Sequence, residues 1–276
     1  SNIYQRTFKG GQIPPDRGVN ITGINTMITN SVPNTWKDLQ NEVGKILEGC
    51  GFSVEIEKKL ETARGKVELD IYAEEEIKGR SYTLICECKH WKSKIPKTTI
   101  HSFRTVVGDL GCNKGYIITS SGFQTGANDA SKLTNIELLT WYDFQNIFFE
   151  SWYDQHFSPT IANELDPILT YSEPILPRWF EKMNDEDKAE YINLKEKYDI
   201  FGWIVMSFTP YARMENNEPI PTLPLKERIS MNNEIKRKVP NDILEETGYR
   251  EFLNYCINYG KKAISEFRHY KNKYAN

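Results

Sequence analysis

Asp70 is followed, seventeen residues later, by the run Glu87-Cys88-Lys89. Two carboxylates and a lysine are the residue types that hydrolysis of a phosphodiester uses. The carboxylates of Asp70 and Glu87, together with the backbone carbonyl of Cys88, make an oxygen-rich set of the kind magnesium takes. A cation held there would polarise a phosphoryl oxygen and lower the pKa of a bound water. Lys89 would orient or deprotonate that water, or stabilise the negative charge that develops. No covalent intermediate is needed.

The chemistry requires these residues to meet, and the local sequence says how. Residues 66–74 alternate apolar and polar, which places Val67, Leu69 and Ile71 on one face of a strand and Glu68, Asp70 and Tyr72 on the other. Residues 81–90 form a second strand. Glu87 and Lys89 share one of its faces, while Leu84, Cys86 and Cys88 share the other and are expected to pack on a helix. If the charged stretch 74–80 is the turn of a hairpin, Asp70 and Glu87 come within reach of one ion.

The remaining elements frame that hairpin. Pro33-Asn34-Thr35 reads as a helix start with Asn34 or Thr35 as N-cap. Trp36, Leu39, Val43, Ile46 and Leu47 follow at helical spacing until Gly49 and Gly51. Residues 52–57 alternate as a strand, with a polar turn expected at 60–65. After Pro96, a helix is expected from Thr98 to Leu110, with Thr98 and Thr99 as candidate caps, then a strand at 115–119, a helix at 124–133 and a strand at 136–141. The order α-β-β-β-α-β-α-β predicts an α/β fold, a mixed central sheet with helices on its faces. Residues 1–33 contain Gly10-Gly11 and Pro14-Pro15 and show no period, so they read as an N-terminal arm, partly ordered at best. Beyond Trp141 the chain turns aromatic and proline-rich, then mostly helical from Asn184, with a loop at 209–225. The expected division is an arm at 1–33, a catalytic domain at 34–150, and a mainly helical region at 151–276 that carries no motif. The aromatic run from Trp141 to Tyr153 is expected in a core or between the two halves.

Four segments, taken in order, resemble the Mrr-like restriction endonuclease branch of the PD-(D/E)xK nucleases. Trp36 to Val54 resembles its opening helix and first strand. Gly65-Lys66-Val67-Glu68-Leu69-Asp70-Ile71 is similar to its strand with the metal-binding aspartate, and Ile85-Cys86-Glu87-Cys88-Lys89 to its E/Q-x-K strand. Gly115 to Phe123, followed by Ala127 and Ala130, resembles the next strand, turn and helix. The likeness covers residues 34–142. It implies metal-dependent hydrolysis of double-stranded DNA, with magnesium or manganese on Asp70, Glu87 and the Cys88 carbonyl. It also implies a role in restriction or anti-phage defence, often as a homodimer. The branch often has a glutamate early in its first helix, whereas Gln40 stands at that position here, so Gln40 enters as a supporting residue. Glu42 lies two residues on and points elsewhere. The proline of the family motif is absent before Asp70.

Other residues have sharper and blander readings. Glu68 is a candidate supporting carboxylate or a solvated charge. Lys92, Lys94, Lys97 and, on the next helix, Arg104 are candidates for phosphate contacts, which position a backbone without reading sequence. Cys86, Cys88 and His90 do not have zinc-site spacing and read as buried thiols beside a histidine. Ser120 and Ser121 lack the partners of a serine nucleophile and read as turn residues.

Composition bounds the rest. The net charge of −3 argues against a protein that simply coats DNA. Five scattered cysteines suit reduced thiols in a cytoplasm better than a disulfide framework. No apolar run is long enough for a membrane span, and residues 1–30 lack a signal peptide's apolar stretch. Two alternatives stay open from sequence: a nuclease fold kept for binding nucleic acid or a partner, and a nuclease acting on RNA or branched DNA.

Overall fold

The structure is a computed structural model and describes residues 27–62, 64–212, 219–227 and 233–275. Its centre is a five-stranded sheet whose spatial order follows the sequence: β1 (Ser53–Thr62), β2 (Gly65–Ile77), β3 (Arg80–Lys89), β4 (Lys114–Thr119) and β5 (Ile136–Thr140). The first three strands are antiparallel. β3, β4 and β5 run parallel, joined by α2 (Lys97–Asp109) and α3 (Thr125–Ser131). The mixed α/β sheet expected from the element order is the one observed.

The hairpins are longer than the sequence suggested. β1 continues to Thr62 and β2 begins at Gly65, so the expected turn at 60–65 shrinks to its tip. Likewise β2 runs to Ile77, and the turn between β2 and β3 is only Lys78-Gly79, with φ of +52° and +75°. Two successive positive φ values match the twist of the flanking strands, and glycine takes the second at no steric cost. Glu74, Glu75 and Glu76 looked like loop residues because they are charged, yet they continue the ladder at the end of the ribbon.

Apolar residues fill both faces of the sheet. On one face, Leu84, Cys86 and Cys88 of β3 and Tyr116 and Ile118 of β4 pack with α1 (Trp36–Gly49) and α4 (Trp141–Trp152). On the other, Ile85 and Ile117 meet Ile100, Phe103 and Val107 of α2 and Ala127 of α3. Strands buried on both faces read as near-continuous apolar runs, as 115–119 does.

The helical half shares the larger of these cores. α4 passes through a π-turn at Tyr153–Phe157, placed just ahead of Pro159, into α5 (Ser158–Ser172). α6 (Asp185–Ser207) and the long terminal helix (Tyr249–Tyr274), here α9 after two short helices α7 (Asn233–Lys238) and α8 (Asn241–Glu245), pack on α5. Phe157, Phe208, Tyr249 and Phe252 form one aromatic cluster with Tyr153, so the aromatic run beginning at Trp141 supplies core as expected. Of the N-terminal arm, residues 1–26 lie outside the described residues. The rest is pinned: Ile28 is fully buried, and the backbone carbonyls of Met27 and Ile28 accept from Tyr249 and Arg250 at the start of α9.

β4 presses closely on α2 at Gly115. A Cβ there would sit 2.7 Å from Val107 Cγ2 and 2.8 Å from Phe103 Cε1, both in a filled core. Gly115→Ala should therefore cost about 1–3 kcal/mol, the usual effect of overpacking. Urea denaturation measures it, and an unchanged midpoint would contradict the packing described.

Candidate active site

β2 and β3 run side by side only as far as the pair Ile71–Cys86 and then part. In the fork, the Asp70 carboxylate takes over for the missing ladder: its Oδ2 accepts from the Cys88 N–H at 2.7 Å. Glu87 and Lys89 lie beside it on the face of β3 opposite Cys86 and Cys88, and their side chains form an ion pair at 2.5 Å. Asp70, Glu87 and Lys89 are thus brought together, on a strand whose other edge is held by β4 through Lys89 and Thr119.

The β1–β2 ribbon turns over at Asp70. Val67 and Leu69 pack with Leu60 on the α2 side of the sheet, whereas Ile71 and Ala73 pack on the α1 side. Strict alternation had placed Val67, Leu69 and Ile71 on one face, and that expectation is corrected here. The inversion sits where the β1–β2 ladder skips one pair, Glu57 opposite Asp70, and Glu57 has a φ of +57°. That backbone is uncommon for a residue with a side chain. The same inversion removes Glu68 from the cluster: it is exposed on the ribbon and lies 3.6 Å from Lys59.

Helix α1 supports the fork from the side. Thr35 is its N-cap, with a capping box closed by Asp38. Gln40 is fully buried. Its Nε2 donates to the Asp70 carbonyl at 3.0 Å, and its Oε1 accepts from Lys37 Nζ at 3.0 Å. Lys37 also reaches Glu57 at 2.6 Å. Trp36 stands beside the Asp70 carboxylate and its side chain favours the ionised form. Glu42 points away, to Lys45 and Arg250. The sequence reading missed Trp36 and Lys37. The signal was available, since residues 36, 37 and 40 fall on one helical face three and four residues apart.

Burial raises the Asp70 pKa above the ordinary carboxylate value, and the negative charge of Glu87 adds to this; the Cys88 N–H, Lys89 and Trp36 oppose the shift. Two like charges held close in a half-buried site are a standing electrostatic cost, and a divalent cation between them would relieve it. Among the described residues no three His, Cys, Asp or Glu side chains gather as a metal cluster. Asp70 and Glu87, completed by a backbone carbonyl or water, would make an oxygen donor set of the kind a hard cation takes. Cys86 and Cys88 are buried thiols whose pKa burial raises well above the usual value.

The cationic candidates follow β3. Lys92, Lys94 and Lys97 are exposed, and none pairs with a described acidic residue. Their loop is fixed to the turn after β4: Ile95 N donates to Gly122 O at 3.0 Å, and Ser121 Oγ donates to Ser93 O at 2.7 Å. This gives Ser121 its role as a turn residue. Arg104 is exposed two helical turns further along α2. Thr98 and Thr99 do not cap that helix, as had been expected. Pro96 is its N-cap and makes no side-chain bond, and both threonines lie within the first turn.

The raised Asp70 pKa fixes the sign of a stability effect. The group is more easily protonated folded than unfolded, so its ionisation weakens the fold above the folded pKa. That cost disappears as pH falls below the unfolded value. In chelator, Asp70→Asn should be more stable than the native chain at pH 7, and the gap should close toward pH 4. Magnesium should raise the melting temperature of the native chain but not of the variant, since a ligand at a hundred times its Kd adds about 2.7 kcal/mol. A pH-independent difference would contradict this account of Asp70.

Residues 33–148 match the family model Mrr_cat, described as restriction endonuclease. No curated protein matches the chain. Among solved structures, the crystal structure of a protein of unknown function, AF1548, matches with a TM-score of 0.35 and 16% identity, covering 60% of this chain and 98% of that one. The segment similar to a restriction endonuclease domain, residues 33–148, is the one that holds Asp70, Glu87 and Lys89.

Proposed function

We propose that this chain is a magnesium-dependent endonuclease that hydrolyses phosphodiester bonds in DNA. The observation that carries the reading is the fork where β2 parts from β3, which holds Asp70, Glu87 and Lys89 together near the end of β3. Asp70, Glu87 and the Cys88 carbonyl would hold magnesium, with manganese as a substitute, and the metal supplies a polarised phosphate and an acidified water. Lys89 meets the water or the developing charge from the same strand face. Its ion pair with Glu87 keeps the ammonium in place before substrate arrives. Gln40 holds the Asp70 backbone from behind. Lys92, Lys94, Lys97 and Arg104 meet backbone phosphates on either side of the bond cut.

Each chain offers one such cluster, so cutting both strands of a duplex would take two copies, and a homodimer is part of the proposal. The kind of domain matched supports a role in restriction or anti-phage defence. Five buried free cysteines fit a reducing cytoplasm. Among the described residues no helix is long and apolar enough to cross a membrane.

The test is cleavage of supercoiled plasmid, modified and unmodified, with and without magnesium. Native protein should nick or linearise it only with the metal. Asp70→Ala and Lys89→Ala should each lose at least about a hundredfold in rate, the scale of removing an acid–base or charge-stabilising group. Metal-independent cutting, or full activity in either variant, would sink the reading. Absence of cutting on every DNA would favour a binding module.

A further inference from the structure

Two tryptophans border the catalytic cluster, and both are turned to solvent. Trp36 is 41% exposed and stands beside the Asp70 carboxylate. Trp91 is 43% exposed and sits two residues beyond Lys89, whose ammonium lies 5.6 Å from its ring centre. Lys37 stands at the same distance from the Trp36 ring. Large aromatic rings left open to water lose the benefit of burial. Here they also sit among cations: the run Lys89-His90-Trp91-Lys92-Ser93-Lys94 interleaves ring and charge. The loop that carries Trp91 is fixed, by Ser121 to the Ser93 carbonyl and by Ile95 to Gly122, and His90 lies 3.2 Å from the Pro33 carbonyl. The ring is displayed by a held backbone.

An open indole face beside lysines binds a base whose own face is free, with the phosphates on the cations. In an intact duplex every interior base face is already covered by its neighbours. Resting on the nuclease reading, we propose that this site takes DNA in which the nucleotide beside the scissile phosphate is unpaired, as in a single strand, fork or flap. The free base stacks on Trp91, and Lys92, Lys94 and Lys97 hold the flanking phosphates. Trp36, with Lys37 over its ring, borders Asp70 in the same cluster.

Binding is measured by fluorescence anisotropy with labelled single-stranded, forked and blunt duplex oligonucleotides, using the full chain in chelator so that nothing is cut. Native protein should prefer the single-stranded and forked forms. Trp91→Ala should lose about tenfold in affinity for those two forms, the size of one base–aromatic stack, and keep its affinity for blunt duplex. Trp91→Phe should retain most of the preference. Equal loss on all three forms, loss on blunt duplex alone, or no loss would overturn the proposal; the second result would mean a groove contact or intercalation. Plasmid cleavage by native protein is run alongside. Cutting without strand-form dependence removes this inference and leaves the nuclease reading. Strand-form-dependent binding through Trp91 without cutting on any DNA does the reverse.

Discussion

Everything at the centre of this molecule follows from holding two carboxylates close together in a half-buried fork. Asp70 and Glu87 repel, and burial makes the repulsion worse by removing the water that would screen it. The fold offsets this with groups placed around Asp70: the Cys88 N–H on one oxygen, and the Lys89 ammonium and the Trp36 side chain nearby, both of which favour the ionised form. These are fixed groups on a strand and a helix, so their arrangement does not have to be created when a ligand arrives. A strand pair that stayed zipped would satisfy Cys88 with a backbone carbonyl and leave no opening. The parting of β2 from β3 opens the fork, and the Asp70 carboxylate fills the gap.

The fork in turn depends on the ribbon turning over. If the alternation of β2 continued unbroken through Asp70, Leu69 and Ile71 would crowd one core and Glu68 would stand beside Asp70. Instead the apolar residues divide between the two faces of the sheet. The skipped pair between Glu57 and Asp70 marks the inversion. Lys37 bridges Glu57 to Gln40, and Gln40 holds the Asp70 carbonyl. The left-handed backbone at Glu57 is thereby surrounded by contacts that determine it, which is how such conformations persist.

Much of this was legible in the sequence because period and glycine placement report directly on local structure. The helix at 36–49, its Thr35 cap, the five strands and the pairing of Glu87 with Lys89 on one strand face all follow from patterns a few residues long. What failed was of two kinds. Charged residues at the ends of hairpins were taken for turns, since a ribbon that projects past the core can carry Glu74 to Glu76 without burying them. The inversion at Asp70 was invisible because alternation assumes a flat strand, and only the packing of two cores shows where it breaks. Trp36 illustrates the same limit. Its spacing to Gln40 was readable, but its approach from a helix to Asp70 on β2 is a property of the fold.

The helical half has no motif, yet it is not mechanically separate from the site. Residues 27–33 bind the start of α9 through Tyr249 and Arg250, and Thr29 donates through its backbone N–H to Gln145 of α4 and through its hydroxyl to Glu251 of α9. Glu42 of α1 pairs with Arg250 of α9. Helix α1 is therefore held by the sheet on one side and by α4 and α9 on the other, within a single apolar cluster that runs from Ile28 to Phe267. Because α1 carries Trp36, Lys37 and Gln40, the position of the Asp70 carboxylate is set from both halves of the chain. Close-packed interiors transmit displacement and do not absorb it. Any force that shifted α9 against α4 would reach Asp70 through α1.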